Sequence, residues 1–177
     1  MSLLKRFPEK GQIVSVYAVG AAILYSWAIL KAIQEFAKNW SLHLSVSEIL
    51  GLFSYTLAGT FFESVLFLAA LLLISFILPK KIFANKFVLR GSILTITFLG
   101  SIIYLYTQTF TYALLDNIGE WGVSFVSFTF FLMLLGELNE FVARIIQSIA
   151  DRCTVLLYIY LPVSFISMIV IFIRNVG

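Results

Sequence analysis

Five stretches of this chain are almost continuously apolar, at 12–33, 56–78, 91–113, 121–138 and 154–173. A bilayer core of about 30 Å takes about 20 residues of helix at 1.5 Å per residue, so each stretch is long enough to span it. The fourth is the shortest, and without it the count falls to four. The pattern predicts an all-α fold, a polytopic transmembrane helix bundle of about five spans, occupying 1–177 as a single domain. The basic start of the first stretch resembles a signal peptide. Its apolar run is too long for one and no small-residue cleavage site follows, so it is expected to stay as span one.

Two connections are more than turns. Between spans one and two, Ser45 stands three residues before Glu48 and ahead of Ile49, Leu50, Leu52 and Phe53. This is the spacing of a capping box, and it predicts either a short interfacial helix or an N-terminal extension of span two. Residues 138–152 place Phe141, Val142, Ile145 and Ile149 on one face and Glu140, Arg144, Gln147, Ser148 and Asp151 away from it. That periodicity predicts an amphipathic cytoplasmic helix lying in the interface, supported by a Glu140–Arg144 pair. The same polar face, with Glu140, Arg144 and Asp151, is a candidate docking site for a cytoplasmic partner.

Composition agrees with a chain dissolved in lipid: 61% of its residues are hydrophobic and 12% charged, where soluble domains carry about a quarter charged. The bilayer is thus the first expected partner. The net charge of +3 does not point to nucleic acid, because the cations cluster beside apolar spans, where they set topology. Lys5, Arg6 and Lys10 precede span one, and Lys80, Lys81, Lys86 and Arg90 follow span two, whereas the loop after span three holds Asp116 and Glu120. The expected orientation puts the N-terminus in the cytoplasm and the C-terminus on the opposite side, with Arg174 the one dissenting cation. Trp27, Trp40 and Trp121 then all map to the outer interface, where indoles anchor.

Candidate chemistry centres on Glu63, a carboxylate inside the second apolar stretch. Thr56, Gly59, Glu63 and Ala70 recur at helical spacing, which predicts a small-residue face turned into the bundle, with Phe61, Val65, Leu68 and Leu72 towards lipid. Span three carries Thr97, Ser101, Tyr104, Gln108 and Thr111 along one side, and its wetter end falls at the level of Glu63. Lys31 closes span one on the same side. Lys31, Glu63, Tyr104, Gln108 and Thr111 are therefore a candidate outward-facing polar site, since intramembrane ionisable groups mark pathways and binding sites. Ala18, Ala22 and Ser26 form a small-xxx-small face on span one and, with Gly59 and Ala70, are candidate helix-packing positions. Pro162 predicts a kink in span five.

The single histidine, His43, and single cysteine, Cys153, leave no metal-spaced set. No phosphate-binding glycine loop, nucleophile elbow or haem-ligating histidine pair is present either, so neither enzymatic activity nor a cofactor is expected. Two functions fit what remains. One is a non-enzymatic integral membrane subunit acting through helix–helix association, with itself as a homo-oligomer or with other subunits of a larger membrane complex. The other is a small transporter or channel using the polar site around Glu63.

Overall fold

The computed structural model describes residues 8–78, 83, 86–108 and 118–176. Five long helices make up the fold: α1 (Lys10–Glu35), α2 (Val46–Ile77), α3 (Phe87–Gln108), α4 (Ile118–Leu138) and α5 (Glu140–Val176). A π-helical segment, Phe36–Trp40, and a single helical turn, Ser41–His43, prolong α1. The protein is an all-α bundle, and each long helix is long and apolar enough to cross a membrane. Within lipid a helix satisfies its own backbone groups, which is why continuously apolar segments adopt it.

The helices alternate in direction. Arg90, at the start of α3, is ion-paired with Glu137 at the end of α4. At the other end of the bundle, Tyr55 near the start of α2 donates to Asn175 Oδ1 at the end of α5, at 3.0 Å. We call the end holding Lys10 and Glu137 proximal and the end holding Trp40 and Asn175 distal.

Boundaries differ from the sequence pattern in two places. The capping box forms, with Ser45 N–H and Oγ donating to Glu48 Oε2 at 2.8 and 2.7 Å. It starts α2 itself, so the extension predicted as one alternative is what the chain builds. The amphipathic segment 138–152, in contrast, is not a separate helix. Asn139 alone separates α4 from α5, its Oδ1 accepting from Phe141 N–H at 2.9 Å. From Glu140 the helix continues unbroken through the fifth apolar stretch to Val176. No glycine or proline stands between Glu140 and Tyr160, so nothing interrupts the backbone ladder there. Pro162 lies within this helix and does not end it. At 32 and 37 residues, α2 and α5 are about 48 and 55 Å long, well beyond a hydrocarbon core of about 30 Å.

Helix α1 is central: it packs against α2, α3 and α5, while α4 sits outboard against α3 and α5. The centre is thin because its buried residues are mostly small, namely Ala18, Val19, Gly20, Ala21, Ala22 and Ala32. Against α1 the approach is close where Gly91 of α3 meets Val16; a Cβ on Gly91 would stand 3.1 Å from Val16 Cγ2. Polar cross-links then fix register. Tyr25, buried in α1, shares a hydrogen bond with Ser164 of α5 and stacks on Tyr160 with centroids 4.5 Å apart. Tyr17 and Ser64 of α2 share another at 3.1 Å.

The buried face of α2 corrects the sequence expectation. It is formed by Gly51, Ser54, Ala58, Thr60, Ser64, Leu71 and Ser75, whereas Gly59, Glu63 and Ala70 are exposed. Phe61 and Leu72, expected towards lipid, pack against the two apolar clusters of the core, and only Val65 of that set is exposed. The cause is steric. The seam from Ser54 through Ala58 to Ser64 supplies small side chains, and the hydroxyls of Ser54 and Ser64 bond to the carbonyls of Leu50 and Phe61 at 2.8 and 2.7 Å. Ser54 and Ser64 therefore behave as small, self-satisfied packing residues in lipid.

Replacing Gly91 by Leu is expected to force α1 and α3 apart and cost about 1–3 kcal/mol. Gly100→Ala, at a site where a Cβ meets nothing within 4 Å, is expected to change stability little. Thermal unfolding of both variants in mild detergent checks the contrast.

Candidate functional site

A cavity of about 460 Å³ opens near the distal end, between α1, α2 and the last turns of α3. Lys31 and Glu63 both line it, so the structure brings these two predicted residues to one site. Tyr104 is not among its lining residues, and the tyrosine that α3 contributes to the cavity wall is Tyr106. Two residues along a helix turn the side chain by about 200°, which puts these tyrosines on opposite faces. The side chain of Gln108 and the whole of Thr111 lie outside the described residues.

The polar stripe of α3 serves another contact. Thr97 is buried, and Thr129 of α4 donates to its Oγ1 at 3.0 Å. The stripe thus begins as an α3–α4 packing seam and leads away from Glu63. Ser92, Thr95 and Leu99, all buried, continue at steps of three and four to Tyr106 through position 103. This second, less polar series marks the face nearest the cavity, and its spacing is the signal that would have found Tyr106.

Lys31 is held by aromatic faces. Its Nζ lies 4.9 Å from the Trp27 ring centroid and 4.6 Å from that of Tyr106, and the two rings meet edge to face at 5.8 Å. Such contacts stabilise an ammonium by about 0.5–2 kcal/mol, more as water is excluded. The long stem of Lys31 carries its ammonium to this position from the side of α1 that faces the cavity.

The acidic side of the cavity holds Glu63 and Glu35. Glu35 Oε2 accepts from Asn39 Nδ2 at 2.8 Å. That bond bridges into the π-helical segment, where Ser41 N–H reaches back to the Phe36 carbonyl, five residues earlier. A wide turn of this kind re-aims the chain and is common beside functional sites. Here it delivers Trp40 to the cavity rim and against Phe53, edge to face at 5.5 Å. Among the described residues Glu63 has no hydrogen-bond or ion-pair partner, Lys31 included. Ile77 lies fourteen positions further along α2, about 21 Å of helix.

At the proximal end, Glu140, Arg144 and Asp151 are exposed on one face of α5. Arg144 Nε donates to the Glu140 backbone carbonyl at 3.4 Å, and no side-chain pair joins them among the described residues. Glu140 also lines a cavity of about 400 Å³ with Gln12, Lys86 and Gln147. Of the span-one packing candidates, Ala18 and Ala22 are buried within the bundle and Ser26 is exposed. Among the described residues no group of three or more His, Cys, Asp or Glu is arranged to hold a metal ion.

Comparison with protein-family models, with curated proteins and with solved structures finds no match to this chain.

In a Cys153→Ser background, Gly59→Cys is expected to react with a charged, membrane-impermeant maleimide in proteoliposomes. Ser64→Cys, at a position only 2% exposed, is expected to stay unmodified. A mass shift read on each protein checks whether the cavity admits water.

Proposed function

We propose that this protein is a non-enzymatic integral membrane subunit that works by helix–helix association, in a homo-oligomer or a larger membrane complex. One observation carries the reading. The exposed stripe of α2 runs Gly59, Glu63, Leu66, Ala70, Leu73 at steps of four and three, its first two residues lining the distal cavity and the rest, with Ala69 beside them, on the open surface of the helix. A Cβ on Gly59 meets nothing within 4 Å. Lipid tails supply no hydrophobic drive for helices to associate, so association relies on close backbone approach at small residues. Small residues turned outward on a spanning helix, where the chain's own core does not need them, suit a second helix.

The topology that accompanies this reading puts the proximal end in the cytoplasm. The exposed Glu140, Arg144 and Asp151 on the first turns of α5 then face the cytoplasm as a docking surface, projecting as a continuation of the span.

A second reading, a small transporter or channel with an outward-facing polar site around Glu63, is favoured by the cavity that gathers Lys31 and Glu63. It requires solute movement through the bundle.

Ala70→Leu is expected to weaken assembly, since the new side chain blocks close approach and meets open space in the single chain. Native mass spectrometry of gently solubilised protein should show a loss of the oligomer or complex, with the monomer's thermal stability unchanged. Equal masses for wild type and variant would remove the association face. Liposome flux that disappears in Glu63→Gln while the native mass stays constant would establish the transport reading instead.

A further inference from the structure

We infer that the distal cavity is a binding site for an ammonium group, carried by a lipid headgroup or by a soluble amine. The inference rests on the cavity being a ligand site, as in the second reading above, and is independent of flux through the bundle.

Charge is the first argument. One lysine and two glutamates line the cavity, which leaves a net charge of −1. The lysine is already engaged, its Nζ placed over Trp27 and Tyr106. Glu35 is oriented by Asn39. Glu63 is the remaining charge, exposed into the cavity and without a partner among the described residues. A carboxylate at this depth in a spanning helix is stabilised by a cation brought to it.

The walls supply the second argument. Besides the pair holding Lys31, Trp40 and Tyr55 line the cavity from the π-helical segment and from α2. Aromatic faces attract ammonium ions through their quadrupoles and repel anions. A volume of about 460 Å³ lies within the range of small-ligand sites. Access is the third argument. Gly59 forms part of the wall, and a Cβ there would meet no atom within 4 Å, so the space in front of Glu63 is open to an incoming group.

The test uses the full chain with Trp121→Phe, so that Trp27 and Trp40 report from the cavity. Protein in phosphatidylglycerol nanodiscs, which hold no ammonium headgroup, is titrated with ethylammonium at constant ionic strength and, separately, with propionate. A saturable fluorescence change with ethylammonium alone is expected. Glu63→Gln should weaken it about tenfold, the loss expected for one charge-assisted contact. Gly59→Leu, which fills the space without touching a charge, should abolish it. Repeating the titration in phosphatidylethanolamine nanodiscs separates the sources: a suppressed response assigns the site to the lipid headgroup, and an unchanged one to a soluble amine. No saturable response in phosphatidylglycerol, or one that both variants leave intact, overturns the inference. Ammonium binding without flux keeps the inference and removes transport, whereas Glu63-dependent flux without ammonium binding keeps transport and overturns the inference.

Discussion

Everything in this bundle depends on α1 being thin enough to have three neighbours. Without a hydrophobic drive between helices in lipid, cohesion comes from packing and from a few polar contacts, and packing improves as backbones approach. Alanine and glycine from Ala18 to Ala22, with Ala32 further along, bring α2, α3 and α5 close on separate sides. Gly91 of α3 and the serine-alanine seam of α2 answer from the facing helices. Helix α4 takes no part in this centre. Its role is to cover α3, through Thr129 on Thr97, and to return the chain to α5 at Asn139.

Polar groups divide into two populations with different consequences. Most hydroxyls inside the bundle bond to their own helix or to one partner, as Thr95 does to the Gly91 carbonyl at 2.7 Å and Tyr17 does to Ser64, whereas the buried hydroxyls of Ser75 and Ser92 have no partner among the described residues. These contacts are each modest, about 0.6 kcal/mol in membrane proteins, yet they are directional and set rotation and register. Charged groups sit nearer the ends. At the proximal end Arg90 and Glu137 join α3 to α4. At the distal end Arg174 Nη1 reaches the Ser47 carbonyl at 3.3 Å, and it does so over Gly51, where a Cβ would lie 1.6 Å from Nη1. The cation that fits charge-based topology least is thus accommodated by a missing side chain on the neighbouring helix.

Element type was legible in the sequence because an apolar run of about 20 residues has few alternatives. Rotation was not. Serine at 54, 64 and 75 and the glycine and alanine at 59 and 70 are interchangeable as small residues, and the pattern alone does not say which set faces the core. Taking Glu63 as a marker of the packed face selected the wrong seam, for Glu63 and Gly59 line the cavity between the helices and the serine series forms the core. The carboxylate is better solvated at a cavity opening outward than among hydroxyls already bonded to carbonyls. Tyr106 was hidden for a related reason, since the more polar series through Tyr104 drew attention to the face that meets α4. Continuity of α5 was obscured by its changing composition, amphipathic up to Arg152 and apolar beyond, although its backbone contains no break until Pro162.

The distal cavity follows from the same constraint that builds the core. Close packing around α1 relies on small residues as far as Ala22, but beyond it come Trp27, Lys31 and Glu35 on the side towards α2 and α3, which are too large for the same approach. The helices therefore part there, and the gap is walled by aromatic rings that hold one cation and leave one carboxylate open. The π-helical turn after Glu35 widens the chain's path and brings Trp40 back over the opening. Larger side chains towards the end of α1 convert a packed seam into a chamber. The second half of α1 therefore carries the site on its side towards α2 and α3, while on its other side Tyr25 still holds α5 through Ser164 and Tyr160.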